Sequence, residues 1–236
     1  MSLELSDPGV SRPYIEAARP EHPSLLDPTH RMDALFGVVN IPNVVWIDED
    51  GVIVRPAEPG WPSGHRQTPV AIAETMARLG RAKNAPPRTE GTVGLQRALA
   101  TGQDRGGYAD AVRDWVAKGA ASEYALSPAD VVARSQPRPT TASEAAAHFE
   151  LAEHLWRAGR RDLGVAHFRE CHRLQPDNWT YKRQAWSLVG NERVGGAFGR
   201  FAQGPAEGEE DAWPFDSDFG SDVSTLGEGA YYPKTL

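Results

Sequence analysis

The sequence holds a single cysteine, Cys171, which excludes an intrachain disulfide and any dithiol pair within these 236 residues. It has no run of about 18 apolar residues, so nothing reads as a membrane span. It also lacks a basic excess: 32 acidic side chains face 25 Lys and Arg, for a formal net charge of −7. Nucleic-acid binding needs a basic face to neutralise phosphates, and Lys and Arg are scattered here without interleaved aromatics, so no nucleic-acid partner is expected. The opening Met1-Ser2-Leu3-Glu4-Leu5-Ser6 has neither a basic stretch nor an apolar core, and does not read as a signal peptide. A cytoplasmic location is the expectation these absences leave. What the chain has in plenty is 19 Pro and 23 Gly, which predict loops and linkers between packed pieces.

The first third alternates helix and strand, an α/β pattern. Leu3-Glu4-Leu5 is a short candidate strand. Ser11 to Ala18 reads as a helix with Pro13 early in it, where a missing N–H costs little. Thr29 to Gly37 has helical period, with Met32, Leu35 and Phe36 on one face and Gly37 as C-cap. Asn43-Val44-Val45-Trp46-Ile47-Asp48 is a β-branched run of the kind buried on both faces. Asp50-Gly51 signals a hairpin turn, and Val52 to Arg55 is the return strand, stopped by Pro56. Further on, helices are predicted over about Val70–Lys83 and over Tyr108–Ala117, the latter with Tyr108, Val112 and Trp115 aligned. Ser127-Pro128 opens a short helix, Ser127 as N-cap and Pro128 at the first helical position.

The run Phe36-Gly37-Val38-Val39-Asn40-Ile41-Pro42-Asn43-Val44-Val45-Trp46-Ile47-Asp48-Glu49-Asp50-Gly51-Val52-Ile53 resembles the closing half of the TlpA/ResA group of thioredoxin-like proteins. There an apolar residue and a proline precede a strand that ends in Asp, and a Gly turn leads to an edge strand. Asn43 stands where Thr is usual. The resemblance extends through Arg12-Pro13-Tyr14-Ile15, His22-Pro23-Ser24-Leu25 and Pro176-Asp177-Asn178-Trp179-Thr180 to an actinobacterial ResA-like family with a Trp-Ala-x-x-Sec-Gly-Cys redox motif. It covers most of the chain up to about Leu188. By itself, Pro42 is equally compatible with a trans bond at the start of a strand. The resemblance implies that the bond is cis and that Ile41, Pro42 and Asn43 line a substrate groove. It further implies thiol–disulfide or peroxide chemistry on a protein disulfide or a peroxide, with no bound cofactor. No Trp-Ala-x-x-x-Gly-Cys occurs here, and Glu170 rather than Gly precedes Cys171.

Two expectations follow for the missing motif. One is a start misplaced by a selenocysteine UGA, so that the redox pair is encoded upstream of Met1. The other is a true start and a redox-dead domain that serves as a binding module, using the groove at Pro42 and the helical hairpin described next. In either case no catalytic residue is expected within the chain. An incomplete fold would leave one sheet edge and one sheet face uncovered, which predicts self-association.

Residues 145–176 resemble one tetratricopeptide-like helix pair. Leu151, Ala152, Leu155, Gly164, Phe168 and Pro176 fall at its apolar, small and proline positions; His148 replaces the usual Trp and Cys171 the usual Ala. Cys171 reads as a buried small hydrophobe. His148, His154, His167 and His172 read as surface histidines, since no helix carries a His pair at i, i+4 and no Cys joins at ligand spacing; no metal is expected. The division predicted is 1–83, a partial thioredoxin-like domain; 84–139, a helical linker region; 140–203, a TPR-like helical region; and 204–236, an acidic tail, flexible or loosely docked.

Overall fold

The computed structural model describes residues 9, 11–60, 93–94, 97–98, 105–135, 137–194, 203–205, 208–233 and 236. The readings at Leu3–Leu5 and Val70–Lys83 lie outside the described residues. In chain order come α1 (Arg12–Ala18), α2 (Arg31–Phe36), β1 (Asn43–Ile47), β2 (Ile53–Pro59), α3 (Arg105–Lys118), α4 (Pro128–Arg134), α5 (Thr140–Arg157), α6 (Arg161–Leu174), α7 (Trp179–Val194) and α8 (Phe219–Ser224).

Strands β1 and β2 form an antiparallel two-stranded sheet joined through Asp48 to Gly51. Gly51 has φ +78, which suits glycine, and Asp48 Oδ1 accepts from the amides of Asp50 and Val52. Pro56 does not stop β2 as predicted. The register shifts between the Val44–Glu58 and Trp46–Arg55 pairs, so Pro56 sits at a bulge, where the ladder asks for no N–H. The predicted burial of β1 on both faces is also overturned. Trp46 is buried, but Ile47 is 44% exposed. One face of the hairpin packs on α3; on the opposite face Asn43 and Val45 are half-buried and Ile47 is exposed.

The covered face is a small core of Trp46, Tyr108 and Ala111, with Val44, Val54, Val112 and Trp115 around it. Tyr108 and Trp46 meet edge to face at 6.1 Å, and Trp46 Nε1 donates to Tyr108 Oη at 3.0 Å. A Cβ at Gly60 would run into the Tyr108 ring, so glycine is what lets the two approach. Beneath them Arg55 makes a two-pronged pair with Glu58 (2.8 and 2.9 Å), and its Nη1 donates to the Tyr124 carbonyl at 2.8 Å. Tyr108 Oη donates to Glu58 at 3.2 Å, so the buried charges are partnered on several sides. Helix α4 starts as predicted: the Ser127 hydroxyl accepts from the Asp130 amide, and Pro128 opens the first turn.

The larger core lies among α5, α6, α7 and the C-terminal segment. Helices α5 and α6 form the predicted hairpin, turned at Gly159 with φ +75. Ala152, Phe168 and Cys171 are fully buried between them. A Cβ at Gly164 would lie 3.0 Å from the Ala152 carbonyl oxygen, which explains the small residue there. Leu151, by contrast, is 43% exposed and takes no part in that core. The segment after 204 is not the loosely held tail its composition suggests. Trp213, Phe215, Phe219, Val223 and Tyr231 are buried in the same core. Asp222 accepts from Lys182 Nζ at 2.6 Å, and that ammonium lies over the rings of Trp179 and Trp186. Asp218 and Ser221 form a reciprocal capping box at the start of α8. Acidic composition misleads here because the aromatic side chains outweigh it once a partner surface exists.

Helix α2 differs most from its pattern. Its buried residue is Asp33, while Leu35 is 66% and Met32 36% exposed. The Asp27 carboxylate accepts from the amides of Arg31 (3.0 Å) and Met32 (2.7 Å), and His30 Nδ1 meets Asp33 Oδ2 at 2.9 Å. His30 in turn packs edge-on against Phe149, 5.0 Å between ring centres. These polar contacts turn the acidic side of α2 toward the helical body and leave its apolar side outward. Gly37 caps it in the left-handed region, as predicted.

Candidate functional site

The loop that leads from α2 into β1 is Val38 to Pro42. Val38 is buried and its amide returns to the Asp33 carbonyl at 3.0 Å. The Val39 carbonyl then accepts two hydrogen bonds from the start of α7, from the amides of Trp179 (2.7 Å) and Thr180 (3.2 Å). A helix begins with amides that lack partners inside it and with a partial positive charge, so a carbonyl oxygen is well matched there. Asn178 completes the same cap, its Oδ1 accepting from the Tyr181 amide at 3.1 Å.

Asn40, buried, faces both ways. Its Nδ2 donates to the Tyr231 carbonyl at 2.7 Å, and its Oδ1 accepts from the Ile41 amide at 2.9 Å. The Ile41–Pro42 peptide bond is cis. Both residues are exposed at the surface, Ile41 at 36%. Asn43 is half-buried, and its Oδ1 is a buried acceptor with no partner among the described residues. The helical region and the C-terminal segment thus hold the loop from behind and leave Ile41 and Pro42 facing outward.

The chemistry open to this loop is recognition of an extended chain. The Ile41 amide is taken by Asn40, while its carbonyl oxygen has no hydrogen bond among the described residues. A partner's N–H can therefore dock on that carbonyl without displacing anything. No thiol is available for redox work. Cys171 is buried in the helical core, and burial raises its thiol far above the ordinary value, which leaves no thiolate at neutral pH.

The chain segment that contains this loop carries several exposed apolar side chains. Leu25, Leu26, Met32, Leu35, Ile41 and Ile47 all come from residues 25–47. Beside them β1 presents an edge that pairs with no strand among the described residues. Ile41 and Pro42 thus lead directly into Asn43, the first residue of a strand whose outer edge is open among the described residues.

Sequence reasoning missed Asn40 and Tyr231 as partners, because 191 positions separate them and nothing local marks the pairing. It also placed all four helical histidines on the surface. His172 is instead stacked on Phe215 (5.2 Å) and set edge-on to Trp186 (5.8 Å). Burial, and after it the Lys182 ammonium, lower its pKa to about 3, so it stays neutral in the core. His148 and His167, on different helices, meet with Nδ1 atoms 2.8 Å apart. Among the described residues no helix is long and apolar enough to cross a membrane. No protein-family model, no curated protein and no solved structure matches this chain.

Proposed function

We propose that the chain is the closing half of a thioredoxin-like domain of the TlpA/ResA type, carried on a TPR-like helical extension that braces its substrate loop. The observation that carries the reading is the open β1 edge beside the outward-facing Ile41–Pro42 loop. A strand and helix supplied from outside these 236 residues would pair with that edge and cover Leu25, Leu35 and Ile47.

The redox pair belongs to that outside segment, encoded upstream of Met1 past an in-frame UGA. Its thiolate or selenolate attacks a disulfide sulfur, forming a mixed disulfide and expelling one thiolate, or a peroxide oxygen, forming a sulfenic or selenenic acid and expelling water or an alcohol. A resolving cysteine then displaces the second thiolate, or the acid's hydroxyl as water, to close an internal disulfide or selenenylsulfide, and an external dithiol is oxidised to its disulfide as it returns the pair to the reduced state. The substrates are protein disulfides or peroxides, in the cytoplasm. Alone, the chain is inactive, and its uncovered edge and apolar surface lead it to self-associate.

The test has two parts. The in-frame DNA upstream of Met1 should contain UGA followed closely by Gly and Cys codons. The chain extended through those codons, with cysteine in place of selenocysteine, should reduce a disulfide-bonded peptide or hydrogen peroxide at the expense of a dithiol. An extended chain that folds but gives no turnover favours the second reading, a non-enzymatic module that binds an extended peptide at the Ile41 carbonyl. The braced loop and that free carbonyl oxygen are the observations in its support.

A further inference from the structure

We propose that His148 and His167 form a two-histidine site for a divalent transition-metal ion, held through their Nδ1 atoms across the α5–α6 hairpin. The two residues lie 19 positions apart on separate helices, with ring centres 5.0 Å apart and planes inclined at 40°. Their Nδ1 atoms face each other at 2.8 Å. Two neutral imidazoles can meet this way only if one Nδ1 carries a proton and the other is bare. Two ring nitrogens turned toward each other in this way are a donor pair that a transition-metal ion can take up.

The scaffold behind the pair is rigid. Each histidine is followed by a buried phenylalanine, Phe149 and Phe168, whose rings pack 5.6 Å apart between the helices. Gly164 sets the close approach of the two backbones. Both imidazoles are half-exposed, so an ion reaches them from solvent and the side chains can turn slightly. Zinc–nitrogen bonds of about 2.0–2.1 Å at a tetrahedral angle put the two nitrogens roughly 3.3 Å apart, so the rings part by about half an ångström and each turns by about 35° to aim its lone pair at the ion.

The remaining positions are open to water or an external ligand. Glu170, on the neighbouring turn, is engaged by Arg173 at 2.8 and 2.5 Å. Among the described residues no group of three His, Cys, Asp or Glu side chains is poised around an ion. Two imidazoles without a carboxylate select nitrogen-preferring ions such as Cu²⁺, Zn²⁺ and Ni²⁺ over Ca²⁺ and Mg²⁺.

The test is calorimetric titration of the full chain at pH 7.5 with ZnCl₂ and with CuCl₂, beside the His148→Ala/His167→Ala double variant and a His154→Ala control. The site predicts one saturable ion per chain, a rise in Tm with metal, loss of both in the double variant and retention of both in the control. Magnesium should give neither. Because both histidines are half-exposed, the double variant should keep the wild-type circular dichroism; His148→Gln alone, which keeps the bulk and removes the ligand, is a second check and should also lose saturable binding. No saturable binding by the wild-type chain, or equal binding by the variants, overturns the proposal.

Discussion

Glu153→Gln is the substitution whose effect the structure fixes most closely. Glu153 lies on α5 with 2% of its side chain exposed. One carboxylate oxygen accepts from Arg157 Nη2 at 3.1 Å; the other is buried without a partner among the described residues. Burial is the largest influence and raises the pKa. Glu150 and Asp27 add to it, and Arg157 opposes it, with the outcome near 7 against an ordinary 4.5. Between about pH 4.5 and 7, then, the folded chain holds a proton that the unfolded chain has lost. Stability is greatest below that window, falls as pH rises through it, and levels off above about 7. Roughly two and a half units at about 1.4 kcal/mol each makes the fall about 3 kcal/mol. Gln keeps the shape of the protonated acid and cannot ionise. The weakened contact to the half-exposed Arg157 costs less than about 1 kcal/mol. Urea unfolding followed by tryptophan fluorescence from pH 5 to 8 should give a variant curve flatter by about 2.5 kcal/mol, with Gln the more stable at pH 8. Parallel curves, or a variant less stable at pH 8, would refute the burial argument.

Three other substitutions test the packing. Tyr108→Phe removes the acceptor of Trp46 Nε1 and one donor to Glu58; unfolding should show a loss of about 1–3 kcal/mol with no change in secondary structure by circular dichroism. Phe215→Ala opens a cavity beside His172 and Trp213 and should cost about 3–5 kcal/mol, with limited proteolysis moving into residues 208–233. Asn40→Ala cuts the loop from Tyr231 and frees the Ile41 amide; hydrogen exchange at Ile41 should accelerate, and stability should fall by about 1–3 kcal/mol.

What the sequence disclosed was local. Ser127-Pro128 is read correctly because a cap is a contact within one turn, and so are Asp50-Gly51 and Gly37, where backbone geometry selects the residue. The hairpin at Gly159 follows from helical period and a breaker. Failures came where distant surfaces decide. Met32 and Leu35 have the period of a buried face, yet Asp27, His30 and Asp33 turn α2 the other way through contacts a helical wheel cannot see. For residues 204–236 the acidic composition pointed to a loose tail and the aromatic side chains to docking; Trp213, Phe215 and Tyr231 are buried, since charge density says nothing about where aromatic side chains find a partner. His148 and His167 read as separate surface histidines because their meeting depends on the crossing of two helices. Around the candidate site, the cis Ile41–Pro42 bond was legible from the resemblance, but the residues that hold the loop, Asn40, Trp179, Thr180 and Tyr231, were not.

The most direct measurement is dithiol-dependent turnover by the chain extended through its upstream in-frame codons, run beside the 236-residue chain on a disulfide-bonded peptide and on hydrogen peroxide. If these residues are the closing half of a redox domain, the extended chain turns over, the shorter chain does not, and the β1 amides gain hydrogen-exchange protection on extension. An extended chain that folds, leaves the β1 edge unprotected and reduces neither substrate contradicts it.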